Sequence, residues 1–311
     1  MFTTFAGSLV TLLICMIFGI VGRKLRIFSD DSDRTLSTLL VKITLPATIF
    51  MSMLQPFSRT LLAESALTIL IITIVFSSGL AVGALLSKLM KCTHKEKRIW
   101  QFSLVFPNVA FMGFPIIQSV FGNEGMIYAS MVVIVFNIMV FSLGVYLIKS
   151  KKGQATGFSL KPVLLAPAFI AVYIGFFLFL TGLRLPSPVE RGIELIGNMT
   201  TPIAMILVGS LLVKTIRQHG LLSLVKDWRV YPIVAARLVL IPVATFFIIN
   251  PWLSNPVMVG VIVILAAMPV AAITAIFAEQ YDGDTPMSVK TITMSNIFCL
   301  ATIPLLSLLL R

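Results

Sequence analysis

Residues 106–115 read Phe106-Pro107-Asn108-Val109-Ala110-Phe111-Met112-Gly113-Phe114-Pro115, inside an apolar run. Two prolines and a glycine in so short a stretch predict a broken helix, because each proline removes a backbone donor and clashes with the preceding turn. In hydrocarbon the freed backbone groups need partners, so an unwound segment is tolerated only where protein or a watery cavity surrounds it. A second such stretch, Met268-Pro269-Val270-Ala271-Ala272-Ile273-Thr274, follows, with Pro107 and Pro269 162 residues apart. One proline alone is compatible with a kinked, packed helix. Two breaks in corresponding places point to a solute site.

The surroundings are those of a membrane protein. The chain is 58% apolar and 12% charged, with a mean hydropathy of +1.02, against about 45–50% and about 25% for soluble domains. A spanning helix needs about 20 mostly apolar residues. That ruler predicts ten spans: 4–24, 35–54, 64–87, 98–121, 125–148, 162–182, 193–213, 229–249, 256–278 and 286–310. The fold class expected is all-α, with helices four and nine broken and crossing. The net charge of +12 does not indicate nucleic acid, because the cations sit in short connectors between apolar stretches. Loops after spans one, three, five, seven and nine carry 18 Lys and Arg, and the opposite side carries four. The positive-inside rule then puts both termini outside. The first apolar stretch precedes its basic cluster Arg23, Lys24, Arg26, the reverse of a signal peptide, and is expected to be a retained helix.

The chain repeats. Gly19 and Gly175 are 156 residues apart, and so are Pro46 in Thr44-Leu45-Pro46-Ala47 and Pro202 in Thr200-Thr201-Pro202-Ile203-Ala204. Phe121-Gly122-Asn123-Glu124-Gly125-Met126 answers Tyr281-Asp282-Gly283-Asp284-Thr285-Pro286-Met287. This predicts a first five-helix repeat over 1–150, a linker at 151–161 and a second over 162–311. An odd number of crossings inverts the second copy, as in many secondary transporters.

Several residues are candidates for the site. Asn108 stands at the break, where its amide can satisfy backbone and touch a solute. Half-helix starts near the midplane present positive ends suited to an anionic group. Ala110, Gly113, Ala271, Ala272 and Ala275 are small enough to let two helices cross closely. Lys42 and Arg237 lie within spans, and for each two readings stay open, a solute-attracting charge or a cation snorkelling to the interface. Asn137, Asn198, Ser295 and Asn296 are expected to join helices by hydrogen bonds, with Asn198 the best placed of them to reach the cavity. All 12 carboxylates fall outside span centres, which leaves proton or sodium coupling unsupported. Three cysteines without a C-x-x-C spacing and two connector histidines give no metal or cofactor site. No phosphate-binding glycine loop and no catalytic arrangement is visible, so neither an ATP-driven pump nor an enzyme is expected.

The motif Pro107-Asn108-x-x-x-Met112-Gly113-x-Pro115 resembles the Pro-Asn…Met-Gly-Ile-Pro signature of the auxin efflux carrier family. Leu45-Pro46-Ala47, the stretch from Met268-Pro269 to Ala278-Glu279-Gln280-Tyr281, and Ile303-Pro304 are similar to that family too, so the resemblance spans nearly the whole chain. The family includes plant carriers with a long loop between halves and bacterial members with a compact one, as here, some of them called malonate transporters. The resemblance implies a fold of the sodium/proton antiporter and bile-acid transporter type. It implies a scaffold or dimerisation part from spans one, two, six and seven, and a transport part from the rest. By motif match, Pro107, Asn108 and Pro269 become crossover and binding positions, joined by Gly113, Val270, Thr274, Asn198, Lys42 and Arg237 as the expected solute-binding set. Val270 stands where plant members often carry a polar residue, so solute identity does not transfer.

The function expected is a secondary carrier, in the efflux direction, for small mono- or dicarboxylates. It would reside in the inner membrane, use elevator-type alternating access, and form a homodimer through scaffold helices. The alternatives are a sodium- or proton-coupled symporter of the bile-acid type and a membrane sensor or scaffold that moves nothing.

Overall fold

The computed structural model describes residues 2–54, 58–148, 165, 167–220, 225–281 and 283–309. The expected linker 151–161 lies outside them. All regular elements among the described residues are helical, as lipid demands of a spanning chain that must pair its own backbone. The helices are α1 (Phe2–Lys24), α2 (Asp30–Leu39), α3 (Leu45–Met53), α4 (Arg59–Leu89) and α5 (His94–Val105). Next come α6 (Phe114–Met139), α7 (Val145–Ile148), α8 (Pro167–Thr181), α9 (Ser187–Asn198) and α10 (Thr200–His219). The last are α11 (Val230–Ala235), α12 (Ile241–Ile249), α13 (Pro256–Ala266), α14 (Ile273–Gln280) and α15 (Thr285–Ser307). Among the described residues, six continuous helical runs are long and apolar enough to cross a bilayer: 30–53, 59–89, 109–148, 187–218, 230–249 and 285–306.

Helices α2, α4 and α5 begin earlier than hydropathy suggests, because capped first turns are polar. Ser29 and Ser32 form a capping box at α2, Thr93 and Glu96 another at α5, and Ser58, Asn255 and Asp284 cap α4, α13 and α15. Each side-chain oxygen takes a backbone N–H that the first turn leaves unpaired. Asp33, expected from the sequence in a loop, is instead buried in α2. Its carboxylate accepts from the Ser210 hydroxyl at 2.7 Å and from Arg23 at 3.1 Å. Asp30 pairs with Arg23 and with Lys214 at 3.1 Å. The run 109–148 turns at Gly122, whose φ of 59° and ψ of −149° suit glycine alone.

Proline placement explains three widened turns. The π-helical segments Leu40–Thr44, Val109–Gly113 and Ala236–Leu240 each end two residues before a proline, at Pro46, Pro115 and Pro242. A helical proline cannot donate to the carbonyl four residues back and its ring crowds that carbonyl. The residue before each proline reaches one residue further. Leu45 donates to the Leu40 carbonyl, Phe114 to Val109 and Ile241 to Ala236. A fourth π segment, Val140–Gly144, has no such proline.

The helices pack as two groups. In one, α1 lies along α10, and α3 lies against α8 and α9. A Cβ at Gly19 would stand 2.0 Å from the Ile206 carbonyl oxygen, and one at Gly209 2.1 Å from that of Met16. The Thr48 hydroxyl donates to the Gly197 carbonyl at 2.8 Å and meets the Thr200 hydroxyl at 2.8 Å. The second group holds α4, α5, α6 and α11 to α15. The groups meet where α1, α3 and α10 touch α6, the segment Val109–Gly113 and α15.

Replacing Gly209 by valine forces α1 and α10 apart along their length. Gly209→Val should lower folding stability by about 3 kcal/mol, near the upper end for overpacking, and thermal unfolding of the detergent-purified protein reads this directly.

Candidate functional site

The two proline breaks meet. Asn108 donates its backbone N–H to the Pro269 carbonyl at 2.7 Å, and Ala271 donates to the Phe106 carbonyl at 3.1 Å. These bonds flank an antiparallel pair of Pro107 with Val270. The two segments touch directly, and Pro107 sits opposite Val270, one residue beyond Pro269. The chemistry of proline sets this register. In the pair that lies between the two ladder bonds, neither residue needs its own N–H, so Pro107 is tolerated there. Val270 turns its N–H to the Ser295 hydroxyl at 3.0 Å. Pro269 cannot return a bond to the Asn108 carbonyl, which accepts from Gly113 at 3.1 Å.

Asn108 is buried, with 7% of its surface exposed, and its side-chain oxygen accepts from the Phe111 N–H at 3.2 Å. It therefore serves as the backbone cap expected at the break. Gly113 permits the close crossing, since a Cβ there would stand 2.5 Å from Leu265 on α13. Thr274 is fully buried and spends its hydroxyl on the Ala271 carbonyl at 2.7 Å.

Arg237 corrects the snorkelling reading left open for it. It does not snorkel to the interface: it is 1% exposed, and its guanidinium binds three backbone carbonyls. Nη1 donates to Leu104 at 2.6 Å, Nη2 to Ala266 at 2.8 Å and Nε to Met268 at 3.2 Å. Leu104 is in the last turn of α5 and Ala266 ends α13. Each helix C-terminus carries about half a negative charge, so one guanidinium offsets two of them. The rigid fork of arginine, with five donors, fits several carbonyls at once where an ammonium cannot.

Lys42 and Asn198 do not join the crossover. Both side chains are exposed, Lys42 in the π segment Leu40–Thr44 and Asn198 at the end of α9, which packs on α3. Where the two helix groups meet there is a small apolar cavity, about 40 Å³, lined among others by Leu12, Met16, Met112, Met205 and Cys299. Beside the crossover, Ser103 precedes Leu104 and Asn296 follows Ser295. The Ser103 hydroxyl and the Asn296 side-chain oxygen are buried and have no hydrogen-bond partner among the described residues.

A second cluster is not evident from the sequence. Glu64, expected only to mark a span end, accepts from the Tyr128 hydroxyl at 2.6 Å and from the Asn255 amide at 3.1 Å. The Asn255 oxygen caps α13 through Val257 and Met258, so three elements are tied at one carboxylate. Only the Asn-Pro start of α13 carries any hint of this in the sequence.

Apolar helices that break in pairs and cross through their backbones define a polytopic membrane transport protein. The chain belongs to the family described as membrane transport protein, the auxin efflux carrier family, whose model matches residues 4–160 and 154–307. It is 22% identical to the uncharacterized transporter YfdV of Escherichia coli, over 98% of this chain and 97% of that protein. It is 24% identical to an uncharacterized transporter of Methanothermobacter thermautotrophicus, over 98% and 99% of the two chains. The protein is thus a membrane transporter of that family.

Removing Arg237 strips three buried carbonyls of their donors. Arg237→Met should cost about 3 kcal/mol or more, with Arg237→Lys in between, measured as the loss of the folded peak and thermal midpoint in detergent. At the second cluster, Glu64→Gln and Tyr128→Phe should each cost about 1 kcal/mol. The double variant should lose less than their sum, because the two groups share one network.

Proposed function

We propose that the protein is a secondary carrier of small organic anions, mono- or dicarboxylates, with the solute held at the crossover. The carrying observation is the asymmetry of charge around it. Arg237 offsets the negative ends of α5 and α13, while no Asp or Glu side chain is hydrogen-bonded to the half-helix starts at Val109 and Ile273 among the described residues. Apart from the neutral Asn108 oxygen that caps the first of them, the positive ends of those half-helices suit an anionic ligand. Ser103 and Asn296 add unpaired polar atoms one residue from the crossover contacts.

The reading includes ten crossings in two inverted repeats over 1–150 and 162–311, in the inner membrane with both termini outside. The packing supports the repeat. A Cβ at Gly19 would stand 2.0 Å from the Ile206 carbonyl oxygen, and one at Gly175 2.7 Å from the Met53 side chain and 3.4 Å from the Phe50 carbonyl oxygen, with Gly19 and Gly175 156 residues apart and Phe50 and Ile206 separated by the same interval. Exchanging the halves therefore puts Gly175 and Phe50 where Gly19 and Ile206 stand, in a looser contact. The group of α1, α2, α3, α8, α9 and α10 is the scaffold and the place for a homodimer contact, and the other group slides against it as an elevator. The cavity between the groups is lined by apolar side chains and offers a carboxylate no charged partner, so in this reading the solute enters when the groups part. Lys42, exposed on the scaffold, attracts the anion from outside the crossover.

An anion leaving with no coupling ion would run down the membrane potential, worth about 2.3 kcal/mol per charge per 100 mV. Proteoliposomes loaded with radiolabelled carboxylates and held at an imposed voltage test this. Efflux should follow voltage, and Asn108→Ala should cut it at least about ten-fold, the weight of about 1.4 kcal/mol on the transition state, with the folded peak intact. Unchanged flux in that variant sinks the site. A second reading, proton coupling, is favoured only by the Glu64 cluster. Flux that ignores voltage, follows a pH gradient and loses that dependence in Glu64→Gln would establish it instead.

A further inference from the structure

The C-terminal end of α4 carries a feature that solute movement does not use. An open cavity of about 540 Å³ is lined by Ala84, Leu85, Ser87, Lys88, Lys91, Cys92 and Lys97. We propose that it binds the headgroup of an anionic phospholipid, whose acyl chains lie along the exposed face of α4.

Three independent observations lead there. The first is that the lysines are not consumed by the fold. The α4 terminus satisfies its own carbonyls, with Cys92 donating to Ser87 at 3.0 Å and Lys91 to Lys88 at 3.1 Å. That is the Schellman arrangement, which needs no side-chain cation as a cap. Lys88, Lys91 and Lys97 form no ion pair among the described residues. Glu96, the neighbouring acid, is taken by the Thr93 backbone N–H at 2.7 Å and by Arg229. Burial opposes its ionisation, but those hydrogen bonds prevail and hold its carboxyl below the ordinary range.

The second is the backbone of Lys91. It occupies the left-handed region, with φ of 51°, at the position where a Schellman turn normally has glycine. A lysine held there at a cost in strain places its ammonium beside the cavity.

The third is the apolar path leading to the cavity. Leu67, Leu70, Ile74, Leu85 and Leu89 are exposed along α4 and end beside Lys88. A charged pocket at the end of a lipid-facing stripe matches a phospholipid, with its phosphate at the lysines and its chains on the leucines. A soluble anion would have no use for the stripe. Basic clusters close to a membrane surface attract anionic lipid in this way.

The full-length protein in neutral detergent is titrated with phosphatidylglycerol, phosphatidylcholine or inorganic phosphate, and followed by native mass spectrometry and thermal unfolding. Phosphatidylglycerol should bind and raise the midpoint, and the other two should do neither. Lys88→Gln, Lys91→Gln and Lys97→Gln should each weaken phosphatidylglycerol binding about five-fold. Lys91→Gly guards against misfolding, since glycine relieves the left-handed strain. It should unfold no earlier than the parent yet bind the lipid less. Equal binding of both lipids, or unaltered phosphatidylglycerol binding in Lys91→Gly and the triple glutamine variant, overturns the proposal. A shift produced by inorganic phosphate alone overturns it as well, in favour of a soluble anion.

Discussion

A polypeptide in lipid cannot leave a backbone N–H or carbonyl without a partner, and the structure depends on how that demand is met where two helices are broken. The two breaks supply partners to each other. Asn108 and Ala271 bond across the crossing, Ser295 takes the spare N–H of Val270, and Arg237 collects three carbonyls that a regular helix would have paired internally. An interruption that would be untenable alone becomes stable as a pair. The buried guanidinium, costly in hydrocarbon by itself, is offset because two helix ends converge on it.

Much of this was legible in the sequence. The prolines at 107 and 269, the glycine at 113 and the capping role of Asn108 were readable because proline and glycine act locally. The π segments before Pro46, Pro115 and Pro242 follow from the same local rule, although a hydropathy window is blind to them. The span limits were less accurate, because apolar content reports a helix body and not its polar, capped first turn. Asp33 shows the effect: it sits in a polar stretch and yet is buried inside α2.

What was hidden depends on distant partners. A cation within an apolar run suggests snorkelling or a ligand. The third possibility, that it caps two helix ends, needs residues 104, 266 and 268 to converge on it. Glu64 was similarly unreadable, since its partners Tyr128 and Asn255 lie on other helices. The reach of Asn198 was misjudged because proximity to Pro202 in sequence is not proximity to the crossover: its helix ends against α3, and its side chain is exposed.

The joint at Pro107 and Val270 is made from main-chain atoms, with Arg237 as brace. Its two N–H donors, on Asn108 and Ala271, are present in every residue except proline, so the ladder itself asks only that neither place hold a proline. Val270 contributes its backbone to the crossing, and what it carries beyond Cβ is free of that duty. The Val270 side chain is fully buried, so an exchange there alters the packing beside the joint and leaves its hydrogen bonds in place.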